Sequence, residues 1–237
     1  MKHIKCMKKA FTLAEVLISL AVIGVIAALT IPSLINSYKT KIYGSQLKKV
    51  YSQLTTAAKE IITDEHADSP LVNDNGEEDE TKKGFYYTSA GTEDGVADFL
   101  NNYLKNSKKD CGTGKTKTCL ASSYKSKDGE DIGSVTDDYY CVQTINGASV
   151  CIVFDDKYAW DHNTGPQDYM GATRLVVDVN GIKKPNKAGM DLFVMKIDNN
   201  GNIEDLDDGD NGEARAIGAL EEACAGHLKT FIENGWK

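Results

Sequence analysis

The chain has 237 residues, of which 41% are hydrophobic, 26% charged and 8% aromatic, a composition that excludes a wholly disordered protein. Four prolines and 21 glycines exclude a collagen-like or proline-rich spacer. A net charge of −8 argues against nucleic-acid binding, which needs a basic surface.

Residues 1–10, MKHIKCMKKA, carry Lys2, Lys5, Lys8 and Lys9 and no acid. Residues 11–35 are apolar apart from Thr12, Glu15, Ser19, Thr30 and Ser33. At about 1.5 Å per residue, Phe11 to Ile31 spans about 30 Å, one bilayer core. The expectation is a single membrane segment with residues 1–10 in the cytoplasm and the chain beyond about residue 36 outside. A secretory signal peptide also starts basic, but its apolar core is usually about 7–15 residues. A buried core helix fits the charge asymmetry poorly. None of these readings explains Glu15, because a carboxylate at mid-membrane costs about 2.5–3.5 kcal/mol. Residues 11–36 contain no Lys, Arg or His. A cationic partner must come from another chain or from a new N-terminal amine.

The segment KKAFTLAEVLISLAVIGVIAALTIP closely resembles the N-terminus of the type IV pilin superfamily, which includes pilins, minor pilins and the pseudopilins of type II secretion. The matching features are a basic leader, a small residue before the cut, an aromatic after it, a glutamate five residues into the mature chain, and a later proline. The resemblance implies that prepilin peptidase cuts between Ala10 and Phe11 and methylates the Phe11 amine. It implies that Glu15 neutralises the Phe11 amine of a neighbouring subunit during assembly. Ala10 stands where the family usually has glycine.

Residues 33–62 place Leu34, Tyr38, Ile42, Leu47, Val50, Leu54, Ala58 and Ile61 mostly at helical spacing. One helix is expected from about 11 to 63, kinked at Pro32 and softened at Gly24 and Gly44. Its half at 36–63 is amphipathic and should pack on a globular domain. Its half at 11–35 is apolar all round and belongs in lipid or among sister helices. Residues 64–80 are rich in acids and read as a solvated loop.

The domain at 36–237 shows short strands and turns. GFYYTSA at 84–90 reads as a strand and GVADFLNNYLKN at 95–106 as a short helix. Residues 139–156 read as a hairpin around Asn146-Gly147. Residues 173–181 and 191–201 read as two strand-to-turn units. The C-terminus reads as an amphipathic helix with Ile217, Leu220, Cys224, Leu228 and Phe231 on its stripe, stopped at Asn234-Gly235. The fold class is α+β: a long kinked helix packed on an antiparallel sheet, with a C-terminal helix. The pilin resemblance implies the same architecture. VDVNGIKKPNKAGMDLF at 177–193 and the final IENGWK also resemble pilin-type proteins associated with type II secretion.

Cys6 falls in the leader, and Cys111, Cys119, Cys141, Cys151 and Cys224 remain. A location outside the cytoplasm permits disulfides. Cys111 and Cys119 bracket a short polar loop and are expected to pair. A two-residue Asn146-Gly147 turn would put Cys141 and Cys151 on opposite faces of the hairpin, and a three-residue loop would put them on one face. Cys224 reads as a buried thiol. There is no CxxC pair, which argues against zinc. No cofactor is required. Asp178, Asn180 and Asp191 offer hard oxygen ligands suited to Ca²⁺, and the same residue types also simply form turns. The resemblance raises the calcium reading, because some secretion pseudopilins bind this ion.

Gly112-Thr113-Gly114-Lys115-Thr116 mimics a P-loop but has Lys109 where the first glycine belongs. The reading is therefore a non-enzymatic filament subunit in the bacterial inner membrane. Its partners are prepilin peptidase, like and related pilin subunits, and the membrane itself. The alternative is a membrane-tethered or fibre-tip binding module, an adhesin using loops 155–213 around Trp160, with calcium as a stabiliser. A hydrolase using Asp161 and His162 lacks a paired nucleophile and base.

Overall fold

The computed structural model describes residues 11–64, 71–72, 78–79, 84–85, 89, 91–104, 107–113, 118–135, 139–154, 173–205, 223–224 and 227–236. The chain forms two compact units that divide between Lys41 and Ile42. One helix, α1 (Leu13–Asp64), contributes to both. It continues through Pro32, whose missing N–H leaves the Ala28 carbonyl without its helical donor.

In the first unit the apolar side chains of α1 are exposed on every side. Leu13, Leu17, Leu20, Ile23, Val25, Leu29 and Leu34 all face outward. This is the one helix among the described residues long and apolar enough to cross a membrane. Two of its hydroxyls turn inward on their own backbone. Ser19 Oγ donates to Glu15 O at 2.8 Å and Thr30 Oγ1 donates to Ile26 O at 2.9 Å. Such i−4 bonds remove two donors that hydrocarbon could not satisfy.

The second unit is built on an antiparallel sheet of six strands in the order β10-β9-β8-β7-β6-β3. These are β3 (Ser107–Gly112), β6 (Tyr139–Thr144), β7 (Ser149–Val153), β8 (Thr173–Asp178), β9 (Leu192–Ile197) and β10 (Ile203–Asp205). Alternation along the strands makes two cores. On one face Val142, Val150, Ile152, Leu175, Val177, Phe193 and Met195 meet Leu47, Val50, Leu54, Ala58 and Ile61 of α1. On the other face Cys141, Cys151, Val176 and Val194 meet Leu120, Tyr124 and Val135. Coverage on both faces explains why β7, Ser-Val-Cys-Ile-Val, is buried at every position.

The second face is covered by a small lobe with its own two-stranded sheet, β4 (Tyr124–Lys125) and β5 (Asp131–Gly133). Two further short strands, β1 (Leu71–Val72) and β2 (Glu78–Asp79), pair within the stretch expected to be only loop. The strand expected at 84–90 is absent where the chain is described. Phe85 lies in a helical turn and packs edge-on against Phe99 at 4.9 Å. Its aromatic character serves a core anchor rather than a pleated strand. The helix expected at 95–106 is α2 (Glu93–Asp98), capped by Thr92 Oγ1 on Gly95 N, followed by a wider π-turn at Phe99–Tyr103.

The C-terminal helix is described as α3 (His227–Glu233), with Leu228 and Phe231 buried. Cys224 lies in a turn before it, while Ile217 and Leu220 lie outside the described residues. Gly44 acts as a contact point. A Cβ there would meet Phe231 Cε1 at 2.8 Å and the Trp236 carbonyl at 3.1 Å, so glycine lets the C-terminus close on α1.

Leu54 is fully buried against the sheet and Leu34 is 70% exposed. Leu54→Ala should destabilise the second unit by about 2–5 kcal/mol, and Leu34→Ala by no more than about 0.5 kcal/mol. Urea unfolding of the detergent-solubilised full chain checks this. Equal effects would contradict the packing described.

Candidate functional site

The start of α1 holds the candidate assembly residues. Thr12 is its N-cap and Glu15 its third helical residue. Glu15 Oε2 accepts from Thr12 N at 2.8 Å and from Thr12 Oγ1 at 2.8 Å. Glu15 N in turn donates to Thr12 Oγ1 at 3.3 Å. This is a reciprocal capping box, and the carboxylate also suits the positive end of the helix dipole. Sequence reasoning missed it, although the Thr-x-x-Glu signal was present at 12–15. Both donors are neutral, so the box meets the hydrogen-bonding need of Glu15 and supplies no counter-charge. Phe11 is 85% exposed immediately before the cap. Ala10 lies outside the described residues.

The cysteines converge on the second core. Cys111 pairs with Cys119 and Cys141 with Cys151. Cys141 and Cys151 stand directly opposite each other on β6 and β7, with Cα atoms 4.1 Å apart. The loop between these strands decides that register. Thr144 N donates to Ala148 O at 2.8 Å, Gly147 N donates to Thr144 O at 2.9 Å, and Gly147 has φ +86°. This is a three-residue loop centred on Asn146, which puts both cysteines on one face. Cys224 is buried in the same core and belongs to neither disulfide; its thiol donates to Leu192 O at 3.9 Å.

Asp178, Asn180 and Asp191 do come together, at the β8–β9 turn. Tyr124 Oη donates to Asp178 Oδ2 at 2.7 Å and Asn180 N donates to Asp178 Oδ1 at 3.1 Å. Asp191 accepts from Asn186 N at 2.8 Å, Lys187 N at 2.6 Å and Asn180 Nδ2 at 3.1 Å. Asn180 thus presents its amide N–H, not its oxygen, to Asp191. Two buried amide oxygens of this turn, Asn180 Oδ1 and Asn186 Oδ1, have no donor among the described residues. No group of three His, Cys, Asp or Glu residues suited to a metal occurs among the described residues. In the structure the three residues hold a turn.

Burial pushes Asp178 up to about 8, with nearby Asp191 adding to the rise against the bonds from Tyr124 and Asn180. Burial also raises Asp191. Residues 155–172 and 206–213, including Trp160, Asp161 and His162, lie outside the described residues, as do Gly114, Lys115 and Thr116.

Residues 5–31 match the family model of the prokaryotic N-terminal methylation motif. This is the prepilin-type signal of type IV pilins and pseudopilins. It supports a pilin-like or pseudopilin protein that is processed by prepilin peptidase. The long N-terminal helix, six-stranded antiparallel sheet and C-terminal helix match an α+β pilin-like fold. The chain matches no curated protein and no solved structure.

The raised Asp178 makes stability depend on pH. Below about pH 4 the group is protonated in both folded and unfolded chains. Above that the unfolded chain releases the proton first, so the folded state loses its advantage as pH rises toward about 8. Unfolding midpoints measured across this window should fall for the parent relative to Asp178→Asn. A difference between the two proteins that is independent of pH would contradict the assignment.

Proposed function

We propose that the chain is a filament subunit of the type II secretion or type IV pilus kind that works by assembly rather than catalysis. Prepilin peptidase cuts between Ala10 and Phe11 on the cytoplasmic face and methylates the new amine. Residues 11–35 then anchor the subunit in the bacterial inner membrane, with the second unit outside. Extraction from the bilayer places those helices together in the filament core.

One observation carries this reading. The first unit exposes apolar side chains on all sides of α1, together with one carboxylate that, among the described residues, is held by neutral donors. In water such a surface is untenable at this size. In lipid or among sister helices the apolar part is satisfied, and the remaining need is a cation for Glu15. The Phe11 amine of a neighbouring subunit supplies it and fixes the axial register between helices. The capping box survives cleavage, because Thr12 becomes the second residue of the mature chain and keeps its N–H.

Two substitutions separate cap from charge. Glu15→Gln retains an oxygen for Thr12 N–H and lacks the charge, whereas Glu15→Ala lacks both. Both variants should insert in the membrane, and both should lose filament yield by about tenfold or more, the scale of one lost buried ion pair. Filaments sheared from cells and quantified by immunoblot give the readout. Normal assembly of Glu15→Gln would show that the cap, and not the charge, is what the filament uses.

A further inference from the structure

The second unit carries an exposed tip whose chemistry the filament reading does not use. Two turns meet there. A Cβ on Gly181 would lie 2.8 Å from Gly147 O, so the β8–β9 turn abuts the β6–β7 hairpin loop. From these turns Ile145 and Ile182 project with 62% and 56% of their surfaces exposed. Lys183 and Lys184 follow and are also exposed. The acids of this turn do not offset them, because Asp178 and Asp191 are buried and bonded inward. Asn180 fastens the turn to α1 through Tyr43 Oη at 3.2 Å.

We propose that Ile145, Ile182, Lys183 and Lys184 form a contact with the anionic phospholipid surface of the bilayer that anchors the chain. The inference rests on the anchored reading above. Aliphatic side chains beside lysines match an interface where phosphates lie next to acyl chains, and lysine stems reach between the two. The chain itself limits the distance. Tyr43 follows Ile31 by twelve residues, about 18 Å at helical rise and about 40 Å fully extended. A tip tied to Tyr43 therefore meets lipid at a high local concentration, and two lysines suffice where a free protein would need more. The contact would hold the second unit against the membrane before assembly and would be given up on extraction.

The test uses the full isotope-labelled chain in lipid nanodiscs, at one copy per disc, with two paramagnetic lipids. A label deep in the acyl chains should broaden the amide signals of residues 13–31. A label at the headgroup should broaden Ile145 and Ile182 to Lys184 in discs containing phosphatidylglycerol. The combined variant Ile182→Ser, Lys183→Glu, Lys184→Glu should reduce that second broadening by about fivefold or more, the scale of one lysine at an anionic surface. Tip signals that ignore the headgroup label, or that respond equally in the variant, would overturn the proposal while leaving the anchor intact. Broadening that appears only with several copies per disc would overturn it too, and would assign the tip to a second copy of the chain. Loss of the acyl-chain effect at 13–31 would overturn the anchored reading and this inference with it.

Discussion

The seam between residues 43–61 of α1 and the sheet supports everything else in the second unit. Its apolar side chains meet strands β6, β7, β8 and β9 in one continuous core. Polar bonds clamp the seam at both ends. At one end Asn180 reaches Tyr43. At the other, Lys59 Nζ donates to Asn200 O at 2.5 Å and to Asn202 Oδ1 at 2.8 Å, tying the β9–β10 turn to the helix. Burial supplies the free energy, and the end bonds fix where along the sheet the helix lies. On the opposite face Cys111–Cys119 ties the lobe to β3, and Cys141–Cys151 joins β6 to β7 beneath it.

The same helix faces a different physical demand before residue 36. There the apolar side chains are exposed, and each polar group must be satisfied locally. Ser19, Thr30 and Glu15 all manage this through backbone or cap hydrogen bonds. Hydrogen bonds settle geometry and desolvation, and a full negative charge needs a cation as well. The capping box thus narrows the role of Glu15 rather than removing it. It holds the carboxylate in a defined orientation, with both Thr12 donors on Oε2.

Patterns with a strong period could be read from the sequence. The amphipathic half of α1, the β6–β7 hairpin, the strands at 173–178 and 192–197 and the stop at Asn234-Gly235 all follow from spacing and turn chemistry. Strand β3, Ser-Lys-Lys-Asp-Cys-Gly, could not be read this way, because an edge strand held by β6 needs no apolar alternation. Phe85 misled for the opposite reason: an aromatic run suggests a strand, yet Phe85 is a single plug against Phe99. The cysteine pairing at 141 and 151 depended on one residue of loop length, which Gly147 at positive φ settles. At the N-terminus the unlike features of the motif coincide over a short stretch, so that segment was readable. The meeting of Asp178, Asn180 and Asp191 was readable too, but not the donors they face, because composition shows only that oxygens are present.

The central claim is that the chain is a prepilin substrate whose mature form begins at Phe11. Its most direct test is the intact N-terminal mass of the protein purified from its native membranes. The account predicts a chain beginning with N-methylated Phe11 and lacking residues 1–10. A chain that keeps Met1 through Ala10 would contradict it, and would leave the apolar helix as a plain anchor with an unneutralised Glu15.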